Sequence, residues 1–104
     1  MQESDWKTFR KMTDDLRERY LAKANVRLAR VLDHPDHTET ERFWNAYEEI
    51  KKESKILQDC LDDIRRSRMH ERVRMMLHFG MLEKTELSVF SEEFQAEIQP
   101  FRGE

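Results

Sequence analysis

The run Phe43-Trp44-Asn45-Ala46-Tyr47-Glu48-Glu49-Ile50, continued by residues 51–64, decides the fold. Phe43, Tyr47, Ile50, Ser54, Leu57, Leu61 and Ile64 recur there at steps of four and three. That is the period of a helix with one seam built to pack along another helix, and Ser54 alone is polar in it. Trp44, Ile56 and Cys60 lie beside the seam and widen it. Thr38 and Glu41, three apart, carry the capping-box signature of a helix start. The spacing predicts a helix over residues 39–65.

Upstream, apolar residues return at Trp6, Phe9, Met12, Leu16, Tyr20, Ala24, Leu28 and Val31, again every three or four positions. Leu21, Val26 and Leu32 broaden this stripe towards its end. Ser4 followed by Asp5 suits a helix N-terminus. A helix over residues 5–32 is expected, roughly 40 Å long at about 1.5 Å per residue. The link Asp33-His34-Pro35-Asp36-His37 is a turn, because Pro35 lacks an amide hydrogen and disfavours a helical His34. A link this short folds the second helix back on the first, with the seam facing it.

After Ile64 the seam meets Arg68 and Glu71, and apolar residues resume in a new phase at Met69, Val73, Met76, Leu77 and Phe79. A break near Arg66–Ser67 follows, with Ser67 as a candidate cap, although no glycine or proline enforces it. A third helix over 68–79 ends at Gly80, suited to a left-handed C-terminal cap. Thr85 and Glu86 open a fourth over 85–98, with Leu87, Phe90, Phe94 and Ile98 in step and Pro100 beyond; the tail Phe101–Glu104 is expected to be loose. The fold class is all-α: an antiparallel hairpin of two long helices plus two shorter C-terminal ones, closing a bundle as a dimer.

Composition agrees. The 104 residues suit a single domain. Charged residues make up 39% and mean hydropathy is -0.95, which fits long solvent-facing helices. Two glycines and two prolines are too few for an all-β fold. Disorder is opposed by the 10% of aromatic residues and their regular spacing. A net charge of -3 implies no general attraction to nucleic acid or anionic membrane. Cys60 is the single cysteine, which excludes an internal disulfide or multi-cysteine zinc site and fits a reducing cytoplasm. No apolar run can span a bilayer, and residues 1–5 lack signal-peptide character.

Candidate sites are few. Arg65, Arg66, Arg68, Arg72 and Arg74 form a basic cluster with Glu71 the one acid among them. Guanidinium forks suit phosphates and partner carboxylates alike, and a solvated face is the plain alternative. The segment from the third helix through Gly80 to the fourth has a helix-turn-helix outline. Its second helix, however, carries Glu83, Glu86, Glu92, Glu93 and Glu97 against Lys84, and would repel a DNA backbone. His34 and His37, with Asp33 and Asp36, hold metal-ligating atoms but sit where any exposed turn would be polar. There is no Glu-x-x-His, no glycine-rich loop, and Cys60 sits beside an apolar seam. Met69, Met75, Met76 and Met81 suit core packing or, alternatively, an adaptable docking groove.

A non-enzymatic helical interaction module is therefore expected, a small adaptor, inhibitor or regulator in the cytoplasm, without cofactor. Its two long amphipathic helices carry more apolar surface than one hairpin can cover. Trp44, Ile56, Cys60, Leu21 and Leu32 are the residues expected at a homodimer interface. The alternative is a nucleic-acid-associated regulator using the Arg65–Arg74 cluster.

Overall fold

The structure is a computed structural model and describes residues 1–98; Pro100 and the tail Phe101–Glu104 lie outside the described residues. It is all-α. Helix α1 spans Glu3–Leu32 and α2 spans Glu39–Leu61, and the two pack against each other as an antiparallel hairpin. A 3-10 turn at Arg66–Arg68 leads into α3, Met69–Phe79. A 3-10 segment, Lys84–Val89, then precedes α4, Glu92–Ile98. The whole measures 52 × 27 × 18 Å, an elongated rod with its core at one end.

The turn chemistry behaves as the sequence predicts. The Thr38 hydroxyl accepts from the Glu41 amide at 3.1 Å, and the Glu41 carboxylate accepts from the Thr38 amide at 2.9 Å. This reciprocal pair starts α2. Gly80 sits at φ +76°, and the Met81 amide reaches back to the Met76 carbonyl at 2.8 Å, the bond that closes a left-handed helix end.

Other starts and stops differ. Gln2, not Ser4, caps α1, and its amide donates to the Asp5 carboxylate at 3.0 Å. Helix α2 stops at Leu61 rather than 65. Asp63 there takes φ +57°, which a short polar side chain tolerates. The Arg72 guanidinium satisfies the carbonyls this stop leaves behind, donating to Asp59 and Asp62 at 3.1 and 2.9 Å. Ser67 lies inside the 3-10 turn and caps nothing; Arg68 occupies the position before α3. The expected helix 85–98 is divided, because Ser91 breaks it and restarts it. Its hydroxyl accepts from the Phe94 amide at 3.1 Å, capping α4. Leu87, Phe90, Phe94 and Ile98 are all buried nonetheless.

The core gathers Trp6, Phe9 and Leu16 of α1, Cys60 and Leu61 of α2, and the C-terminal segments. Met69, Met76 and Met81 are buried in it and Met75 packs on it, so the methionines serve packing. Arg19 ties the Lys84–Val89 segment to α1, with its guanidinium 2.7 Å from the Glu86 carboxylate and 3.3 Å from the Met81 carbonyl.

The side of α2 that faces α1 is not the one the seam predicts. Ala46, Glu53 and Cys60, seven apart, are its buried residues, together with Leu61 at its end. Glu53 sets this rotation. Its carboxylate accepts from the Tyr20 hydroxyl at 2.5 Å and from Arg27 at 2.8 Å, both on α1. Burial pushes the Glu53 carboxyl up, but these two hydrogen bonds and the Arg27 charge outweigh it and hold it below its ordinary value. Burial, then the contact with Glu53, pushes the Tyr20 phenol up to about 12. Phe43, Tyr47 and Ile50 consequently point away from α1.

Candidate interaction surface

Half of the α2 seam is covered and half is not. Leu57 and Leu61 pack with the core near the C-terminal helices. At the other end of the hairpin, Phe43, Trp44, Tyr47 and Ile50 are 59%, 55%, 48% and 53% exposed. The aromatic rings touch edge to face. Phe43 and Trp44 have centroids 4.9 Å apart at 90°, and Trp44 and Tyr47 are 5.8 Å apart at 81°. Edge-to-face contact of this kind holds aromatic side chains in place. Leu32, also exposed, lines a shallow groove with Phe43, Trp44 and the Arg42 stem. Single exposed apolar residues are ordinary on a surface; several together are an uncovered patch.

Charge around this patch is polarised along α2. Glu39, Glu41 and Glu48 are exposed in its first half, and Lys51, Lys52 and Lys55 in its second. Lys52 reaches Glu49 at 3.5 Å and Lys55 reaches Asp59 at 2.8 Å, both along the same helix. Such exposed pairs contribute little and can exchange partners.

Among the five residues expected at a self-association surface, the structure divides. Trp44 and Leu32 are exposed on the patch, and Leu21 is half-buried on α1. Ile56 instead packs against the core, and Cys60 is fully buried inside a single chain. Cys60 is therefore hidden from a second copy, whereas Ile56 keeps part of its side chain at the surface beside Lys52, Lys55 and Phe79. Phe43, Tyr47 and Ile50 lie exposed beside Trp44 instead. The spacing Ala46–Glu53–Cys60, opposite Tyr20 and Arg27, is the sequence signal for that rotation.

The arginine cluster is not one surface. Arg65 and Arg68 both bind the Asp63 carboxylate, at 2.7 and 3.0 Å. Arg66 pairs with Glu3 at 2.8 Å and lies 5.9 Å over the Trp6 ring. Arg72 is buried against the end of α2, and Arg74 donates to the Glu97 carbonyl at 3.3 Å. Arg66, Arg72 and Arg74 tie separate segments of the chain together, while Arg65 and Arg68 make local pairs around the turn. Arg65 holds the Asp63 carboxyl below its ordinary value through a hydrogen bond, with further help from the nearby arginine charges.

In the turn, the His34 and His37 rings stack with centroids 3.9 Å apart and planes 9° from parallel. The His34 Nδ1 accepts from the Asp36 amide at 3.2 Å. Among the described residues no three His, Cys, Asp or Glu side chains converge as a metal site would need. Burial pushes the Cys60 thiol up to about 11, far from the range of a reactive thiolate. No described helix is long and apolar enough to cross a membrane.

Comparison with protein families, with curated proteins and with solved structures finds no match.

Proposed function

We propose that this chain is a non-enzymatic helical interaction module, a small adaptor, inhibitor or regulator of the cytoplasm that acts through protein–protein contacts and forms a homodimer. One observation carries the reading. A row of aromatic and aliphatic side chains, Phe43, Trp44, Tyr47, Ile50 and Leu32, stays uncovered at the end of the hairpin remote from the core. Leaving such a row in water is unfavourable by about 25 cal/mol per Å², and a partner that covers it gains the part of this left after the cost of association. Interfaces are rich in aromatic anchors for this reason.

The nucleic-acid alternative has less support. Arg72, one of its five arginines, is buried on the Asp59 and Asp62 carbonyls, and the chain carries a net charge of -3.

The test is retention of proteins by the immobilised full chain, its Tyr47→Glu variant and its Arg65→Glu variant. A protein held by the native chain and by Arg65→Glu, but released by Tyr47→Glu with helicity unchanged, supports the reading. Equal retention by all three, or release only by Arg65→Glu, refutes it.

A further inference from the structure

We infer that the occupant of the exposed face is a second copy of this chain, packed α2 against α2, antiparallel, about a twofold axis at Tyr47. The inference rests on the docking reading above and names its partner and register.

Most of the face is complementary to itself; Phe43 falls opposite the partner's Lys51, whose stem and ammonium can lie over the ring. In an antiparallel pair, residues of equal summed number stand at the same height. With the axis at Tyr47, Trp44 meets the partner's Ile50, Tyr47 meets the partner's Tyr47, and Ile50 meets the partner's Trp44. The polar residues beyond fall into line as well, with Thr40 opposite the partner's Ser54. An isologous contact needs this kind of pattern, since one patch must serve as both surfaces.

The charges carry the same register. Glu39 and Lys55 lie eight residues either side of Tyr47, about 12 Å along the helix from the axis. Antiparallel packing sets Glu39 beside the partner's Lys55, and symmetry repeats the pair. Their side chains are 90% and 70% exposed, so both can swing to a partner. A parallel arrangement would set acid against acid in the first half of α2 and lysine against lysine in the second.

Area is sufficient for one such contact. Three half-exposed aromatic rings with Ile50 and Leu32 offer roughly 500 Å² per copy, so a pair buries roughly 1,000 Å². That is the lower bound for a specific interface, and it describes a reversible dimer.

The experiment is sedimentation equilibrium of the full chain from micromolar to millimolar concentration. The native chain is expected to rise from 12.8 kDa towards twice that mass, and Tyr47→Glu to remain monomeric with an unchanged circular dichroism spectrum. Glu39→Lys alone and Lys55→Glu alone each set like charges together in both symmetric pairs and weaken the dimer about tenfold. An equimolar mixture of these two variants restores both attractive pairs and recovers native-like association. A strict monomer at millimolar concentration overturns the inference, while partner retention by the exposed face would still stand as its own result. A dimer indifferent to Tyr47→Glu, or a mixture no tighter than its components, overturns the axis and register.

Discussion

The carboxylate of Asp5, in the first turn of the first helix, binds Ser91, the residue that starts the last: it accepts the Ser91 amide and the Ser91 hydroxyl, each at 2.7 Å. Asp5 is buried. The same serine oxygen accepts the Phe94 amide, so one hydroxyl uses its hydrogen on α1 and a lone pair on α4. The start of α1 is thereby fastened to the end of the bundle.

Asp5→Ala removes the acceptor of three hydrogen bonds and leaves the Ser91 amide without a partner. It is expected to destabilise the fold by about 1–3 kcal/mol, and Ser91→Ala by less. Thermal melts followed by circular dichroism check this. A melting temperature equal to that of the native chain would show that the Asp5 contacts contribute nothing net.

Acid should unfold the protein through the same carboxylate and through Glu53. Burial raises both, but hydrogen bonds from Ser91 and Gln2 to Asp5, and from Tyr20 and Arg27 to Glu53, bring the folded values below 3.8 and 4.5. A folded-state pKa below the unfolded one gives stability that is full above the unfolded value and lost as pH falls through the folded value. Melting temperature should therefore hold steady at neutral pH and decline once pH drops below about 4.5. Glu53→Gln, which does not titrate, should shallow that decline. An identical acid slope in the variant would assign the loss to other groups.

The arginines should prove unequal. Arg72→Met orphans the Asp59 and Asp62 carbonyls at the buried end of α2 and is expected to cost about 1–3 kcal/mol. Arg65→Met breaks an exposed pair and should change stability by less than about 0.5 kcal/mol. Urea denaturation of both variants separates the two roles; equal losses would contradict them.

Cys60 should react with a disulfide reagent only when the chain opens. With its thiol fully buried and pushed up to about 11, its modification should be at least about a hundredfold slower than that of a free thiol. The rate should climb with added urea in step with unfolding. Immediate stoichiometric labelling of the native protein would place the thiol at the surface.

Much of the architecture is legible in the chain. Pro35, the Thr38–Glu41 pair and Gly80 punctuate the elements by local chemistry alone, and tertiary contacts do not override them. The rotation of α2 is not legible by hydrophobic period, because Glu53 reads as a solvent residue until Tyr20 and Arg27 are brought opposite it. The aromatic seam is therefore assigned to the hairpin interior when its first half lies outside. The division of the last helix escapes because the apolar spacing of Leu87, Phe90, Phe94 and Ile98 runs straight across it, and the contact of Ser91 with Asp5 is distant in sequence. The arginine run looks like one patch in sequence, yet its members lie on a turn and around a helix and reach six different acceptor residues. Of the surface itself, Trp44 is readable from its place beside the seam and Leu32 from the broadened end of the first helix's stripe, whereas Phe43, Tyr47 and Ile50 need the rotation.

The core's position at one end of the rod has a consequence for motion. Near the C-terminal helices, α1 and α2 are fastened by a packed interior; at the far end they are held by contact with each other, by the Tyr20–Glu53–Arg27 hydrogen bonds and by the bond from Arg42 to the His34 carbonyl of the turn. Amides of residues 28–32 and 39–47 should exchange with deuterium well before those of residues 6–16 and 57–61, since local opening there exposes little apolar area. The segment that presents the aromatic row is thus the least anchored stretch of the hairpin, and whatever settles on it would slow that exchange from the tip inwards.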